Sequence, residues 1–271
     1  MIQKIPRALT IAGSDSGGGA GIQADVKTFT SLGVYGLSVL TSITAQNTLS
    51  VLGINDLPPD FVELQIDAVL SDIGADAVKT GMLSNEGIIL AVTKKIKQYG
   101  VEKLVVDPVM RAKSGDALLN RKAEKALKQE LFPLALVVTP NIPEAEVLSG
   151  VAISSFDDMR EAAKKIKSFG PRYVLIKGGH LEWAKEAVDI MYDGMGFDLF
   201  QAPRVETKNT HGTGCTYSSA ICAGLAKGLD VLEAVRQAKE YVTEAIIRSF
   251  SLGQGHGPLN HFWKFEQESH G

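Results

Sequence analysis

The chain has 271 residues, 45 % of them hydrophobic and 22 % charged, and a formal net charge of −3. That composition is globular and large enough to bury a core without staples. It carries no global basic field that would recruit nucleic acid or anionic lipid.

Met1-Ile2-Gln3-Lys4-Ile5-Pro6-Arg7 lacks the apolar core of a signal peptide, and no apolar run is long enough to span a bilayer. The expectation is a cytoplasmic protein with a small-molecule partner and neither a membrane nor a nucleic acid. Leu9-Thr10-Ile11-Ala12 reads as a first strand ending at Gly13, and 39–45 as a second. Ala77-Val78-Lys79, Leu104-Val105-Val106, Leu136-Val137-Val138 and Tyr173-Val174-Leu175-Ile176 follow. These runs are apolar throughout rather than alternating, as in strands covered on both faces.

Helical signals lie between them. After Ser84, Ile88, Val92 and Ile96 recur every four residues, and Gly100 supplies a stop. Ser155 followed by Asp158 has the spacing of a capping box ahead of Met159, Ala163, Ile166 and Phe169. Segments 187–192 and 199–202, joined through Asp193-Gly194, read as a hairpin, and 231–247 as an amphipathic helix. Without repeats or linkers, this alternation predicts one α/β domain over 1–271 with a mostly parallel sheet.

Ligands of such sheets sit beyond the carboxyl ends of the strands. Polar and glycine-rich pieces fall there: 13–25, Gln46-Asn47, Gly81-Met82, Asp107-Pro108, 141–144 and Lys177-Gly178-Gly179. Asn209-Thr210-His211-Gly212-Thr213-Gly214-Cys215 precedes a helical stretch over 216–227. Two glycines at a helix entry expose backbone N–H groups, and the helix dipole adds positive charge, so an anion site is expected. A helix-entry turn without a ligand is the plain alternative.

At a helix's first turn the Cys215 thiol should have a lowered pKa and could act as a base or simply order a substrate hydroxyl; a small buried hydrophobe is the plain reading, and it suits Cys222 better. On one helix these two cysteines stand roughly 10 Å apart at ~1.5 Å per residue, beyond the roughly 4.4–6.8 Å of a disulfide. No G-x-x-x-x-G-K-[ST] loop occurs. Gly19-Ala20-Gly21-Ile22-Gln23-Ala24 fits a loose dinucleotide pattern, but the next acid after Asp25 is Asp56, too far along for the ribose contact.

Six segments together resemble the hydroxymethylpyrimidine and phosphomethylpyrimidine kinases of thiamine synthesis. They are 8–15 with 18–29, Lys79-Thr80-Gly81-Met82-Leu83, Asp107-Pro108-Val109-Met110 with Lys113-Ser114-Gly115-Asp116, 139–145, Lys177-Gly178-Gly179-His180, and 210–215. The likeness runs in order over nearly the whole chain. It implies a ribokinase-like three-layer α/β/α sandwich without a large lid, acting as a homodimer. It also implies ATP-dependent phosphorylation of hydroxymethylpyrimidine and of its monophosphate, with ATP and Mg²⁺ as cofactors and a monovalent cation left open. A pyridoxine or pyridoxal kinase is the alternative enzyme, and a non-catalytic ligand sensor on the same fold the alternative class.

The resemblance also distributes roles. Cys215, Lys177, Gly212 and Gly214 would be catalytic, Cys215 standing where some branches of the superfamily carry an aspartate base. Gln46, Asp25, Gly13, Met82 and Val109 would hold the acceptor, Gln46 pairing with an aminopyrimidine edge. Asn141, Lys177, Thr210, Thr213 and Lys239 would hold ATP, and Asp107 and Glu144 the metal. Surface, capping or core roles remain the plain alternatives for Gln46, Asp25, Glu144, Met82 and Val109. His256 and His261 have no metal-binding spacing and read as C-terminal loop residues.

Overall fold

The computed structural model describes residues 5–110, 121–179 and 186–268. Its strands carry apolar side chains on both faces, which explains their unbroken apolar runs. Leu104 and Val106 face one core while Val105 faces the other; Val174 and Ile176 oppose Leu175 in the same way.

Strands β1 (Arg7–Asp15), β2 (Tyr35–Gln46), β4 (Ala77–Thr80), β5 (Leu104–Val106), β6 (Val137–Val138) and β7 (Tyr173–Ile176) are parallel. β3 (Val51–Asp56) is antiparallel at one edge, and the hairpin β8 (Glu186–Tyr192) and β9 (Phe197–Pro203) closes the other. The order is β3-β2-β1-β4-β5-β6-β7-β8-β9. From β1 the chain passes through α1 (Gly21–Ser31) to β2 on one side, and from β4 through α3 (Glu86–Gln98) to β5 on the other. Connections that leave neighbouring strands in opposite directions open a crevice at their carboxyl ends.

Helices α2 (Pro59–Asp72), α3, α4 (Arg121–Ala126), α5 (Ile142–Ser149) and α6 (Phe156–Lys167) pack on one face; α1, α7 (Thr213–Ala226) and α8 (Val231–Ile247) pack on the other. The short α9 (Trp263–Glu268) ends the described chain, with Trp263 against the second layer. This is the three-layer architecture the resemblance implies. No helix among the described residues is long and apolar enough to cross a membrane.

Two local readings need correction. α3 is capped by Asn85, whose side chain accepts from Ile88 N at 3.0 Å, one residue after the Ser84 start signal. Ser155 does cap α6, but Asp158 returns its bond to Ser154 N at 3.0 Å rather than to Ser155 N, so the reciprocal box is not closed there. A complete capping box occurs instead at Asn141 and Glu144. β3 and α2 carried no sequence signal that separates them from loop. The motif 113–116 and His180 lie outside the described residues.

Ile66 is fully buried on α2, which packs against β2 and α3, and it does not line the cleft described below. Ile66→Ala is expected to cost about 2–5 kcal/mol, by transfer plus cavity. Urea unfolding should show that loss while the Michaelis constants stay at their wild-type values.

Candidate active site

A cleft of about 760 Å³ opens over the carboxyl ends of the parallel strands. Its floor and walls include Gly13 from β1, Gln46 from β2, Met82 after β4, Asp107 and Val109 after β5, and Asn141 and Glu144 after β6. Lys177, after β7, and Thr210, Gly212, Thr213, Gly214 and Cys215 complete it. The strand-end groups singled out in the sequence therefore meet in one place.

The glycine loop at α7 has its form for steric reasons. Gly212 is the N-cap of α7 with φ +84°, and a Cβ there would run into the carbonyl oxygen of Gly19. Only glycine allows that backbone conformation and that approach. Thr213 Oγ1 donates to Thr210 O at 2.8 Å and tightens the entry. A Cβ on Gly214 would sit 3.4 Å from Lys177 Nζ and 3.6 Å from Asp107 Oδ2, so the ion pair stands directly beside the helix N-terminus. Helix amides, dipole and a lysine converge on one point, an arrangement suited to an anion.

Lys177 Nζ meets Asp107 Oδ1 at 2.9 Å. Burial opposes ionisation of Asp107, but Lys177 and Lys79, with a bond from Thr139 Oγ1, outweigh it and hold its carboxyl below the usual range. Burial likewise opposes the Lys177 charge, and Asp107 and Glu144 more than restore it. Glu144 goes the other way. Burial pushes its carboxyl up to about 7; Lys177 opposes the rise and Asp107 adds to it. Its Oε2 accepts from Asn141 N at 2.9 Å while Asn141 Oδ1 accepts from Glu144 N at 2.9 Å. Asp107 and Glu144 thus lie on either side of Lys177 in the cleft lining, both acting on its charge. No cluster of three or more His, Cys, Asp or Glu suited to a metal occurs among the described residues. Such a sparse donor set fits a hard cation that keeps most of its waters.

Gly13 and Met82 face one another in the cleft: a Cβ on Gly13 would come 2.9 Å from Met82 Cε. Gln46 is half-buried, its Oε1 accepting from Thr44 Oγ1 at 3.2 Å and its Nε2 standing 3.4 Å from His211 Nε2. His211 itself bonds Asp15 Oδ2 at 2.8 Å.

Three expectations change. Asp25 is not in the cleft wall: it is fully buried, paired with Lys79 Nζ at 2.8 Å, and accepts from Thr10 Oγ1 and Ser219 Oγ at 2.6 Å each. Lys239 is not in the cleft wall either. It pairs with Asp189 Oδ2 at 2.7 Å, and Asp189 Oδ1 accepts from Gly178 N at 2.9 Å, so Lys239 reaches the site only through the turn beside Lys177. The Cys215 thiol is pushed up to about 12, chiefly by burial, with Asp25 and Asp107 adding and Lys79 opposing. Close packing and two buried carboxylates outweigh the helix N-terminus, so the group is a neutral thiol facing the cleft. Cys222, on the same helix, is a fully buried free cysteine.

Lys79 and His211 line the cleft and were given no role from the sequence. For Lys79 the signal was present, a charge inside the apolar strand Ala77-Val78-Lys79-Thr80. His211 carried none beyond its place in the loop.

A profile of the phosphomethylpyrimidine kinase family matches residues 15–260. A thiamine biosynthesis bifunctional protein of Geobacter sulfurreducens is 57 % identical over 253 residues, which are 93 % of this chain and 51 % of that protein; the chain spans about half that relative's length. The hydroxymethylpyrimidine/phosphomethylpyrimidine kinase of Bacillus subtilis is 49 % identical over 258 residues, 95 % of each. Among solved structures, an ADP complex of Bacillus subtilis pyridoxal kinase superposes with a TM-score of 0.88 at 44 % identity, covering 95 % of this chain and 98 % of that one. Matched along nearly its whole length in sequence and in fold, the chain belongs to the phosphomethylpyrimidine kinase family and is a phosphotransferase of ribokinase-like fold.

Proposed function

We propose that this chain transfers the terminal phosphoryl group of ATP to the hydroxymethyl oxygen of hydroxymethylpyrimidine, and then phosphorylates the monophosphate to the diphosphate. The observation that carries the reading is the pairing of two walls in one cleft. The anion loop at α7 with Lys177 forms one, and Gly13, Gln46, Met82 and Val109 form the other. A phosphate and a flat hydroxymethyl ring would meet between them.

Phosphoryl transfer through a loose transition state asks mainly for position and charge. Lys177 offers a fixed cation to the moving group, and the amides at the start of α7 face its oxygens. Thr210, Thr213 and Asn141 bound the nucleotide side. Cys215, held neutral, orients the acceptor hydroxyl, whose proton is lost late. Asp107 and Glu144 would hold Mg²⁺ through water, and the bound ion supplies neutralisation of the phosphate charge. Gln46 favours an aminopyrimidine over a pyridoxine ring, since its amide offers both a donor and an acceptor. The likeness to a pyridoxal kinase at 44 % identity supports the second reading, a B6-vitamer kinase. Homodimeric assembly and a cytoplasmic location belong to the same reading.

Incubation with ATP, Mg²⁺ and hydroxymethylpyrimidine should give ADP and a doubly phosphorylated product, with a kcat/KM above that for pyridoxine. Absence of turnover with either pyrimidine form sinks the proposal, and a higher kcat/KM for the vitamer selects the second reading.

Cys215→Ala is expected to lower kcat by about a hundredfold through lost positioning, while Cys222→Ala keeps near wild-type kcat. Rate measurements across neutral pH should show no limb from a thiol ionisation.

Glu144 titrates at 4.5 when unfolded and at about 7 when folded. Stability from this group is therefore complete below its unfolded pKa and is lost as pH rises through the folded one. Metal-free protein should melt lower at about pH 8 than at about pH 5 on this account, and Glu144→Gln should flatten that slope in thermal melts.

A further inference from the structure

The two walls of the cleft come from opposite ends of the chain, and a C-terminal segment ties them together. Thr48, two residues beyond Gln46, lies in the turn between β2 and β3. Its carbonyl accepts from His256 N at 3.0 Å and its Oγ1 from Gly255 N at 3.1 Å. A Cβ on Gly255 would run into the Thr48 carbonyl, so the segment lies flush on the turn. Two residues further on, Gly257 O accepts from His211 N at 3.1 Å, and His211 and Pro258 form a parallel bridge. A Cβ on Gly257 would strike the Asn209 side chain, so this contact too is a close one. His256 Nδ1 donates to Lys208 O at 3.1 Å, and the same residue lines the cleft.

The segment is itself anchored. His261 Nε2 meets Thr216 Oγ1, on the first turn of α7, at 2.9 Å, both groups being buried. The His261 carbonyl accepts from Tyr241 OH on α8 at 2.7 Å and from Ser31 Oγ on α1. Asn260 N donates to Ala245 O at 3.0 Å. One short stretch therefore holds the turn that follows Gln46 of the acceptor wall, the residue that opens the anion loop, and the helix whose N-terminus the phosphate faces. The walls also meet directly at His211, whose Nε2 bonds Asp15 Oδ2 at 2.8 Å and stands 3.4 Å from Gln46 Nε2, and it is the backbone of this same residue that the segment holds.

We propose that residues 253–261 are a positioning strap that registers the acceptor wall against the anion loop, with Gly255, Gly257 and His261 as its positioning residues. None of them needs to touch the reacting atoms. In-line transfer depends on the separation and aim of the two groups, and the strap sets both. The proposal rests on the kinase reading above.

The test combines kinetics with amide hydrogen exchange on Gly255→Ala in the full chain. The expected result is a kcat lower by about a hundredfold with KM for ATP within about twofold of wild type. Faster exchange is expected both in 46–50 and in 209–214. Wild-type kcat, or faster exchange confined to 46–50, overturns the proposal. Thr48→Val deletes only the acceptor for Gly255 N and keeps the side-chain shape, so it serves if Gly255→Ala does not fold; it should give the same pattern, smaller, and wild-type behaviour again overturns. His261→Gln, which keeps a group at the Nε2 position, should retain kcat where His261→Ala loses it; equal losses count against the strap. If wild-type protein fails to turn over the pyrimidine, the kinase reading fails, while the exchange pattern still decides whether the strap couples the two loops.

Discussion

Two lysines lie buried at the carboxyl side of a sheet whose inner strands are mostly apolar, and each is held there by an aspartate. Lys79 pairs with Asp25, and Lys177 with Asp107. Removing such charges from water costs several kcal/mol each unless the remaining lone pairs and protons are satisfied. The surroundings show that satisfaction. Thr10 and Ser219 serve Asp25, and Thr139 and Ser218 serve Asp107. These hydroxyls come from β1, the residue after β6, and α7, so a single electrostatic requirement draws strands and the helix bearing the anion loop into one arrangement. A fixed field at the cleft is the outcome, present before any ligand arrives.

The same requirement explains why some residues assigned to ligands lie elsewhere. Asp25 is spent on Lys79, and Lys239 on Asp189, which in turn holds the Gly178 amide next to Lys177. Both pairs join residues at least fifty positions apart in the chain. Local pattern carries no information on such partners, and a charged residue near a motif reads as a ligand contact until its counter-ion is seen. Cys215 shows a second kind of miss. Its place at a helix start was legible, but the burial that reverses the expected shift is a tertiary property.

Much of the fold was legible where burial is two-sided. β5 and β7 coincide with their apolar runs, and α8 with its amphipathic stretch, because a strand between two helix layers has no polar face to blur it. β3 was not legible: five of its six residues are exposed at the sheet edge, and Gly53, Asn55 and Asp56 read as loop. α2 buries Val62 and Ile66 while Phe61 and Leu64 stay exposed, so its periodicity is diluted. At the site, the strand-end groups were found because glycine and polar residues interrupt apolar runs there. The strap was not, since a Gly-His-Gly-Pro stretch has no period and its meaning lies in what it touches.

The state of Cys215 has a bearing on chemistry unrelated to phosphate. Thiolates, not thiols, are what peroxide and electrophiles attack. A cysteine at the centre of the cleft with its pKa near 12 is almost entirely in the inert form at neutral pH. A side chain that lines the cleft is therefore held in the form that reacts slowly with oxidants and alkylating agents, by the same burial and buried carboxylates that deny it the role of a base.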